Sequence, residues 1–339
     1  MIVVMKPNAT PEQIQHVINL VREYGLKDHP IVGTDRTVIA CIGDKRAVDK
    51  GAIENAPMVE KIVPILAPYK MASREVRQER TEIAIGPAGA TLGGQKIGVI
   101  AGPCAVESRE QLLQTARAVA EAGAIALRGG AWKPRTSPYD FQGLQAKGLE
   151  ILAEARAETH LAIVTEVLRS ETVQQVAAVA DVLQIGARNM QHYPLLEAVG
   201  KVDKPVILKR GPSSTMEEFL LAAEYIINAG NPNVILCERG IRTFEDYVRN
   251  TLPLAIVPAL RERTHLPVVV DPSHGTGHAH MVPPMCLAAV AAGADGLLVE
   301  VHRDPEHAYT DAAQQINHHA FCAMMKRARK VAEAIGRDM

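Results

Sequence analysis

Residues 267–302 read PVVVDPSHGTGHAHMVPPMCLAAVAAGADGLLVEVH. An apolar run, Pro267 to His274, closes in Asp271-Pro-Ser-His274. A helical pattern follows over 282–292 and stops at Gly293. A second apolar run, Gly296 to His302, closes in Glu300-Val-His302. A strand covered on both faces is a near-continuous apolar run rather than an alternating one. Strand, helix and strand in this order make the unit of a parallel sheet.

The same unit recurs upstream. Strands are expected at Ile97–Cys104, Ala124–Arg128, Leu161–Val167, Val182–Arg188, Pro205–Gly211 and Val234–Gly240. Helical patterns lie over 108–122, 140–158, 170–180, 191–200, 215–229, 243–263, 282–292 and 311–335. Glu121-Ala-Gly-Ala-Ile and Ala291-Ala-Gly-Ala-Asp echo each other at the ends of two helices. Strict alternation of eight strands and eight helices predicts a closed (β/α)8 barrel, the TIM barrel. A doubly wound open sheet is the alternative, but no GxGxxG follows any strand.

Residues 1–70 predict a small α+β unit. Ile2 to Met5 is a strand. Thr10-Pro-Glu-Gln13 is a helix start with Thr as N-cap, Pro at the first helical position and Gln at the capping-box position. Strands at Pro30–Gly33 and Thr37–Ile42, joined by a Thr-Asp-Arg turn, a helix near 46–55 and a strand near Lys61–Ile65 complete a β-α-β-β-α-β order, the ferredoxin-like arrangement. Residues 71–80 are expected to link it to a catalytic barrel over 81–339. The Gly-rich stretch Thr81–Gln95 is expected to form a hairpin under the barrel.

Composition bounds the function. The 339 residues suit a barrel of about 250 residues plus a small domain. Formal net charge is −1, which gives no case for nucleic acid or an acidic membrane surface. Aromatics are 4%, so the core must be aliphatic. The five cysteines, widely spaced with no CxxC, read as reduced thiols. There is no signal-peptide pattern and no apolar stretch of roughly 18 residues, so a cytoplasmic location is expected.

The chemistry is in how the strands end. In order they close in Gly-Pro-Cys104, Arg128 (with Lys133 and Arg135 in the loop), Thr165-Glu166, Gly-Ala-Arg188, Lys209-Arg210, Glu238-Arg239, His274 and Glu300-Val-His302. Barrel strands converge at one mouth, where active sites sit. Cys104, His274, Glu300 and Asp311 offer thiolate, imidazole and carboxylate to a divalent transition metal: Mn, Fe, Co or Zn. Taken singly, Cys104 can be a small core residue, His274 part of a phosphate loop and Asp311 a helix N-cap. Taken together they favour a metal. Arg128, Lys133, Arg135, Arg188, Lys209 and Arg239 put six cations in the same mouth, so small, multiply anionic substrates are expected. Arg210 is expected in a surface ion pair. The pair His318-His319 is expected at a surface or interface.

Six stretches carry a family resemblance: Gly102-Pro-Cys-Ala-Val-Glu-Ser108, Lys133-Pro-Arg-Thr-Ser-Pro-Tyr139, Gly186-Ala-Arg-Asn-Met-Gln191, Leu208-Lys-Arg-Gly211, Glu238-Arg-Gly-Ile-Arg-Thr243 and Asp271-Pro-Ser-His-Gly-Thr-Gly277. The chain resembles the 3-deoxy-D-arabino-heptulosonate 7-phosphate (DAHP) synthases of type I beta. The resemblance implies condensation of phosphoenolpyruvate with erythrose 4-phosphate and water, the first step of the shikimate pathway. It implies Cys104, His274, Glu300 and Asp311 as metal ligands. Arg128, Lys133, Arg188, Lys209 and Arg239 would hold phosphoenolpyruvate, and Arg135, Thr136 and Ser137 the erythrose phosphate group. It also implies an aromatic effector, tyrosine or phenylalanine, at the N-terminal domain, and a homotetramer. His192-Tyr193 and Ala312 depart from the family's usual Asn-Phe and Gly; neither is an expected ligand. Glu166 would activate or orient water. Lys133 would donate a proton if burial among cations lowers its pKa. His274 and Asp311 are expected to be catalytic as well as metal-binding. Rival readings are 3-deoxy-D-manno-octulosonate 8-phosphate synthase, whose loop carries Lys-Ala-Asn-Arg where this chain has Lys133-Pro-Arg-Thr-Ser137, a metal-dependent aldolase, and a non-catalytic amino-acid sensor.

Overall fold

Val268–Val270 is a buried strand without one polar side chain, and the other barrel strands are apolar runs whose polar residues fall at or near their C-terminal ends. In the computed structural model the eight runs form a closed parallel barrel. The structure describes residues 1–33, 36–43, 48–63, 67–135 and 137–339. Strands are numbered in chain order. β1 to β4 are Ile2–Met5, Lys27–Val32, Thr37–Ile42 and Val59–Val63; β5 and β6 are Ile83–Ile85 and Ala90–Leu92. The barrel strands β7 to β14 are Gly98–Gly102, Ala126–Arg128, Ala162–Glu166, Val182–Ile185, Val206–Lys209, Val234–Glu238, Val268–Val270 and Gly296–Glu300. β14 pairs with β7, with Leu298 opposite Ile100 and Glu300 opposite Gly102, and this pairing closes the barrel.

Ile100, Ala126, Val164, Ile207, Ile235, Val269 and Leu298 share one buried core with Ile83, Ile85 and Leu92 of the β5–β6 hairpin. Gly98 and Gly296, the first residues of β7 and β14, both lie against the Leu92 side chain. The hairpin therefore plugs the N-terminal end of the barrel, and the opposite end is left for the site.

Contact clustering separates two units: Met1–Glu79 with Arg263–His265, and Arg80–Glu262 with Leu266–Met339. The first holds an antiparallel sheet in the order β2-β3-β1-β4. Helix α1, Pro11–Glu23, starts with the capping box at Thr10 and Gln13 and buries Val17, Ile18 and Val21. With α2, Lys50–Glu54, the order is β-α-β-β-α-β. Its strand β2 begins three residues before Pro30. As an edge strand it tolerates a proline. The Thr34-Asp35 turn, the start of the helix expected near 46–55 and the end of the strand expected near 61–65 lie outside the described residues.

Several helices are shorter than their apolar patterns. Helix α8 is only Ile256–Arg263. Residues 243–255 form a loop, because Pro253 lacks an N–H and disfavours helix at Leu252. Helix α4, Ala146–Thr159, starts after Gly143 (φ 90°) and Gln145 (φ 55°). A Cβ at Gly143 would stand 2.2 Å from the Ala131 carbonyl oxygen. After Thr310 comes a single 3-10 turn, Ala312–Gln314, and helix α11 starts at His318 with Asn317 as its N-cap. Among the described residues no helix is long and apolar enough to cross a membrane.

Candidate active site

Asp271 follows β13 and caps the short helix α9, Pro272–Thr276, by accepting from the His274 N–H at 2.9 Å. Its Oδ2 lies 2.7 Å from Lys209 Nζ and 2.7 Å from His274 Nδ1. The His274 contact is close but not aligned along a ring N–H. Burial alone would raise the Asp271 carboxyl; His274 and Lys209 instead hold it well below the usual range. Asp271 thus stands behind the imidazole on its Nδ1 side, and Nε2 is turned toward Glu300 and Asp311. That nitrogen is 3.6 Å from Glu300 Oε1 and 3.8 Å from Asp311 Oδ2.

Cys104, Glu300 and Asp311 bring a thiol and two carboxylates within 4.8 Å of one another. Glu300 is the last residue of β14 and fully buried. Burial would raise its pKa, but His274 and an Arg128 guanidinium hydrogen-bonded to Oε1 hold it well below the carboxylate range. Asp311 sits in the left-handed region at φ 49°, and its side chain caps nothing. Its Oδ2 instead meets the Cys104 sulfur at 3.4 Å. The N-cap reading of Asp311 is thereby excluded. Burial, with Glu300 adding to it, pushes the Cys104 thiol up to about 12. A neutral thiol among carboxylates needs a cation to become thiolate, and these four side chains suit a divalent ion: thiol, imidazole and two carboxylates, with His274 oriented by a carboxylate behind it.

The mouth encloses about 340 Å³. Arg128, Lys133, Arg135, Arg188, Lys209 and Arg239 all line it, as does Glu166. Arg188 Nη1 donates to the Pro134 carbonyl at 3.1 Å, and Arg135 pairs with Asp140 at 3.0 Å. Lys133 Nζ donates to the Cys104 sulfur at 2.9 Å and to the Cys104 carbonyl at 3.1 Å. Burial acts to lower the Lys133 pKa, but Cys104 and Glu166 raise it further, and the net shift is upward. The lowered pKa expected for a proton donor is not found, because Cys104 and Glu166 together outweigh burial and Arg128. Glu166 occupies space that only a glycine at 186 leaves: a Cβ there would stand 2.0 Å from Glu166 Oε1.

Other expectations change. Ser137 is not on the cavity wall; its hydroxyl accepts from the Tyr139 N–H at 3.3 Å. Thr136 lies outside the described residues. Arg210 is buried, not a surface group, and pairs with the fully buried Glu238 at 2.8 Å. Glu238 also accepts from the Gly240 N–H at 2.6 Å, so it closes the end of β12 rather than facing the cavity. His318 is half-buried against Thr115, at 3.2 Å, and His319 is exposed.

Residues 77–336 match the DAHP synthetase I family. The chain belongs to that family. Residues 1–67 match the DAHP synthase ferredoxin-like domain. The chain is 49% identical over 336 residues to the phospho-2-dehydro-3-deoxyheptonate aldolase of Thermotoga maritima, covering 99% of both chains. A crystal structure of that aldolase (DAHP synthase) from Thermotoga maritima matches with a TM-score of 0.79 at 48% identity, covering 99% of this chain and 98% of the other. A 2-dehydro-3-deoxyphosphooctonate aldolase of Bradyrhizobium sp. is more distant: 33% identical over 269 residues, 73% of this chain and 93% of that one.

The mouth of this DAHP synthetase I family chain also holds groups that sequence reasoning did not assign. Arg242 and Arg249 bring the cations on the wall to eight. Arg249 Nη1 lies 3.4 Å from Asp311 Oδ1 and donates to Gln314 Oε1 at 2.6 Å. Arg249 was hidden by reading 243–263 as one helix. Arg242 lay within a quoted motif, and an arginine two residues past Gly240 was the available signal.

Proposed function

We propose that this mouth condenses phosphoenolpyruvate with erythrose 4-phosphate. The family activity is 3-deoxy-7-phosphoheptulonate synthesis, an aldol-type transferase reaction giving DAHP and inorganic phosphate and leading to the aromatic amino acids. The observation that carries the site assignment is eight cations around about 340 Å³, next to a cluster of one thiol and two carboxylates with the His274 imidazole 3.6 Å from Glu300 and 3.8 Å from Asp311.

Arg128, Lys133, Arg188, Lys209 and Arg239 hold the carboxylate and phosphate of phosphoenolpyruvate. Arginine supplies paired donors and lysine a point charge. Arg135, which lines the cavity, takes the phosphate of erythrose 4-phosphate. Their shared clamp brings the enol carbon to the aldehyde carbon and removes much of the entropic barrier to their meeting. A divalent cation, Mn, Fe, Co or Zn, bound by Cys104, His274, Glu300 and Asp311 would supply Lewis-acid polarisation of the aldehyde oxygen. Glu166 orients the water that adds at C2 of phosphoenolpyruvate. Lys133, kept protonated by Cys104 and Glu166, donates hydrogen bonds there rather than acting as a lowered-pKa acid. The 49% identity to the heptonate enzyme, against 33% to the octonate enzymes, favours the four-carbon sugar phosphate.

The N-terminal unit is read as the sensor of an aromatic amino acid, tyrosine or phenylalanine. The enzyme is read as a cytoplasmic homotetramer. The match of residues 1–67 to the family's ferredoxin-like domain supports the first reading. The second rests on the resemblance, and light scattering checks the assembly.

The test is loss of phosphoenolpyruvate absorbance with erythrose 4-phosphate and, in parallel, arabinose 5-phosphate. Turnover with the first alone is expected. Preference for arabinose 5-phosphate would overturn the sugar assignment. No turnover of either, with metal supplied, would favour the regulatory reading.

A further inference from the structure

Two consecutive glutamines, Gln314 and Gln315, are buried beside the thiol–carboxylate cluster and spend both ends of their amides on it. Gln314 Nε2 donates to Glu300 Oε2 at 2.6 Å. Gln314 Oε1 accepts from Arg249 Nη1 at 2.6 Å, and the same Nη1 stands 3.4 Å from Asp311 Oδ1. Gln315 Oε1 accepts from the Cys104 backbone N–H at 3.1 Å. Gln315 Nε2 donates to the carbonyl of Thr310, the residue before Asp311, at 2.8 Å. One amide therefore joins the end of β14 to Arg249 and Asp311. The other joins the residue after Gly102-Pro103 to the turn that carries Asp311.

We propose that Gln314 and Gln315 are positioning residues that set the affinity of the site for its divalent cation. This rests on the metal reading above. The four groups come from the loop after β7, from α9, from the end of β14 and from the residue before the Ala312–Gln314 turn, so no single element fixes their separation. Asp311 also holds a left-handed backbone, which a non-glycine residue keeps only where its surroundings over-determine it. Gln315 supplies one such constraint through Thr310. Gln314 fixes one oxygen of Glu300, so that carboxylate has less rotamer freedom to lose when a cation binds. An amide suits the position because it donates to a carboxylate and accepts from a guanidinium at once. A carboxylate at 314 would face Glu300 with like charge, and a leucine would take the Gln314 donor from Glu300 Oε2 and the Gln314 acceptor from Arg249.

The test is Mn2+ binding to metal-stripped full-length protein, read from the electron paramagnetic resonance signal of free Mn2+, for Gln314→Leu, Gln315→Leu and Arg249→Ala. Loss of outer hydrogen bonds of this kind typically costs about 10- to 100-fold in metal affinity. We expect losses in that range for both glutamine variants. Arg249→Ala, in a loop outside the core, breaks the same link without a buried substitution, so it tests the proposal even where a glutamine variant fails to fold. About tenfold weaker binding is expected for it. Variants that melt earlier yet bind Mn2+ within about twofold of the parent have only a structural role, and that result overturns the proposal. A parent that binds no Mn2+, Co2+ or Zn2+ would overturn the metal reading itself. A parent that binds alongside equally tight variants overturns this inference alone.

Discussion

The Cys104 sulfur stands 3.4 Å from Asp311 Oδ2 across 207 positions of sequence. The two meet because β14 pairs with β7 to close the barrel, so the ends of the last and first barrel strands are neighbours. Burial pushes the thiol up to about 12, so it faces Asp311 and Glu300 as a proton-bearing group.

Replacing that sulfur removes one of the four donor groups proposed for the cation. Cys104→Ala is expected to lose both metal binding and turnover while keeping its far-ultraviolet circular dichroism. Metal analysis of dialysed protein, with a phosphoenolpyruvate assay, checks this. Full activity in the variant would remove Cys104 from the ligand set.

Gly186→Ala places a methyl group 2.0 Å from where Glu166 Oε1 now lies, so the carboxylate must move. A displacement of this size costs on the order of 100-fold in rate when the group positions a reactant. We expect kcat to fall by about that factor, with Mn2+ affinity unchanged, and Glu166→Gln to fall comparably. Unaltered kcat in both variants would show that Glu166 has no part in the chemistry.

Asp295, just before β14, gathers three guanidinium groups. Arg261 and Arg337 reach Oδ1 at 2.9 and 3.2 Å, and Arg80 also hydrogen-bonds it. Its Oδ2 accepts from the Val268 N–H at 2.9 Å. Removing one member of a buried ion cluster typically costs about 3–5 kcal/mol. Asp295→Ala is expected to lower barrel stability by about that amount in urea unfolding. A loss below about 1 kcal/mol would mean the arginines find water instead.

His265, in the unit with residues 1–79, hydrogen-bonds the Met71 carbonyl through Nε2 at 2.8 Å. Burial pushes its imidazole down to about 4. Both folded and unfolded forms are neutral above pH about 6.5. Below that the unfolded chain takes a proton that the folded one refuses. Stability is therefore lost as pH falls from about 6.5 to about 4, by roughly 3 kcal/mol at most. Stability measured across that window should show the slope in the parent and a smaller one in His265→Gln. Equal slopes would assign the acid sensitivity to other groups.

The barrel was legible because a strand covered on both faces leaves an uninterrupted apolar run, and Val268–Val270 and Gly296–Val299 have no polar interruption. That Cys104, His274 and Glu300 would gather at one end of the barrel was legible because they mark where such runs stop. What failed was helix length. Leu252, Leu254, Ile256, Val257 and Leu260 keep an apolar pattern on both sides of Pro253, so a loop looked like helix and Arg249 was lost with it. Gln314 and Gln315 gave no signal, since a glutamine's worth depends on which groups the fold sets at its two ends. The environment of Lys133 was misread for a similar reason: several arginines share its mouth, but the pull of Cys104 and Glu166 on its charge outweighs that of Arg128 and of burial.

The most direct measurement is phosphoenolpyruvate consumption with erythrose 4-phosphate by protein stripped with EDTA and then titrated with Mn2+. The account predicts negligible turnover in stripped protein and recovery that saturates at one ion per chain. Undiminished turnover after stripping, with metal analysis showing none retained, would contradict the assignment of Cys104, His274, Glu300 and Asp311 as a catalytic metal site.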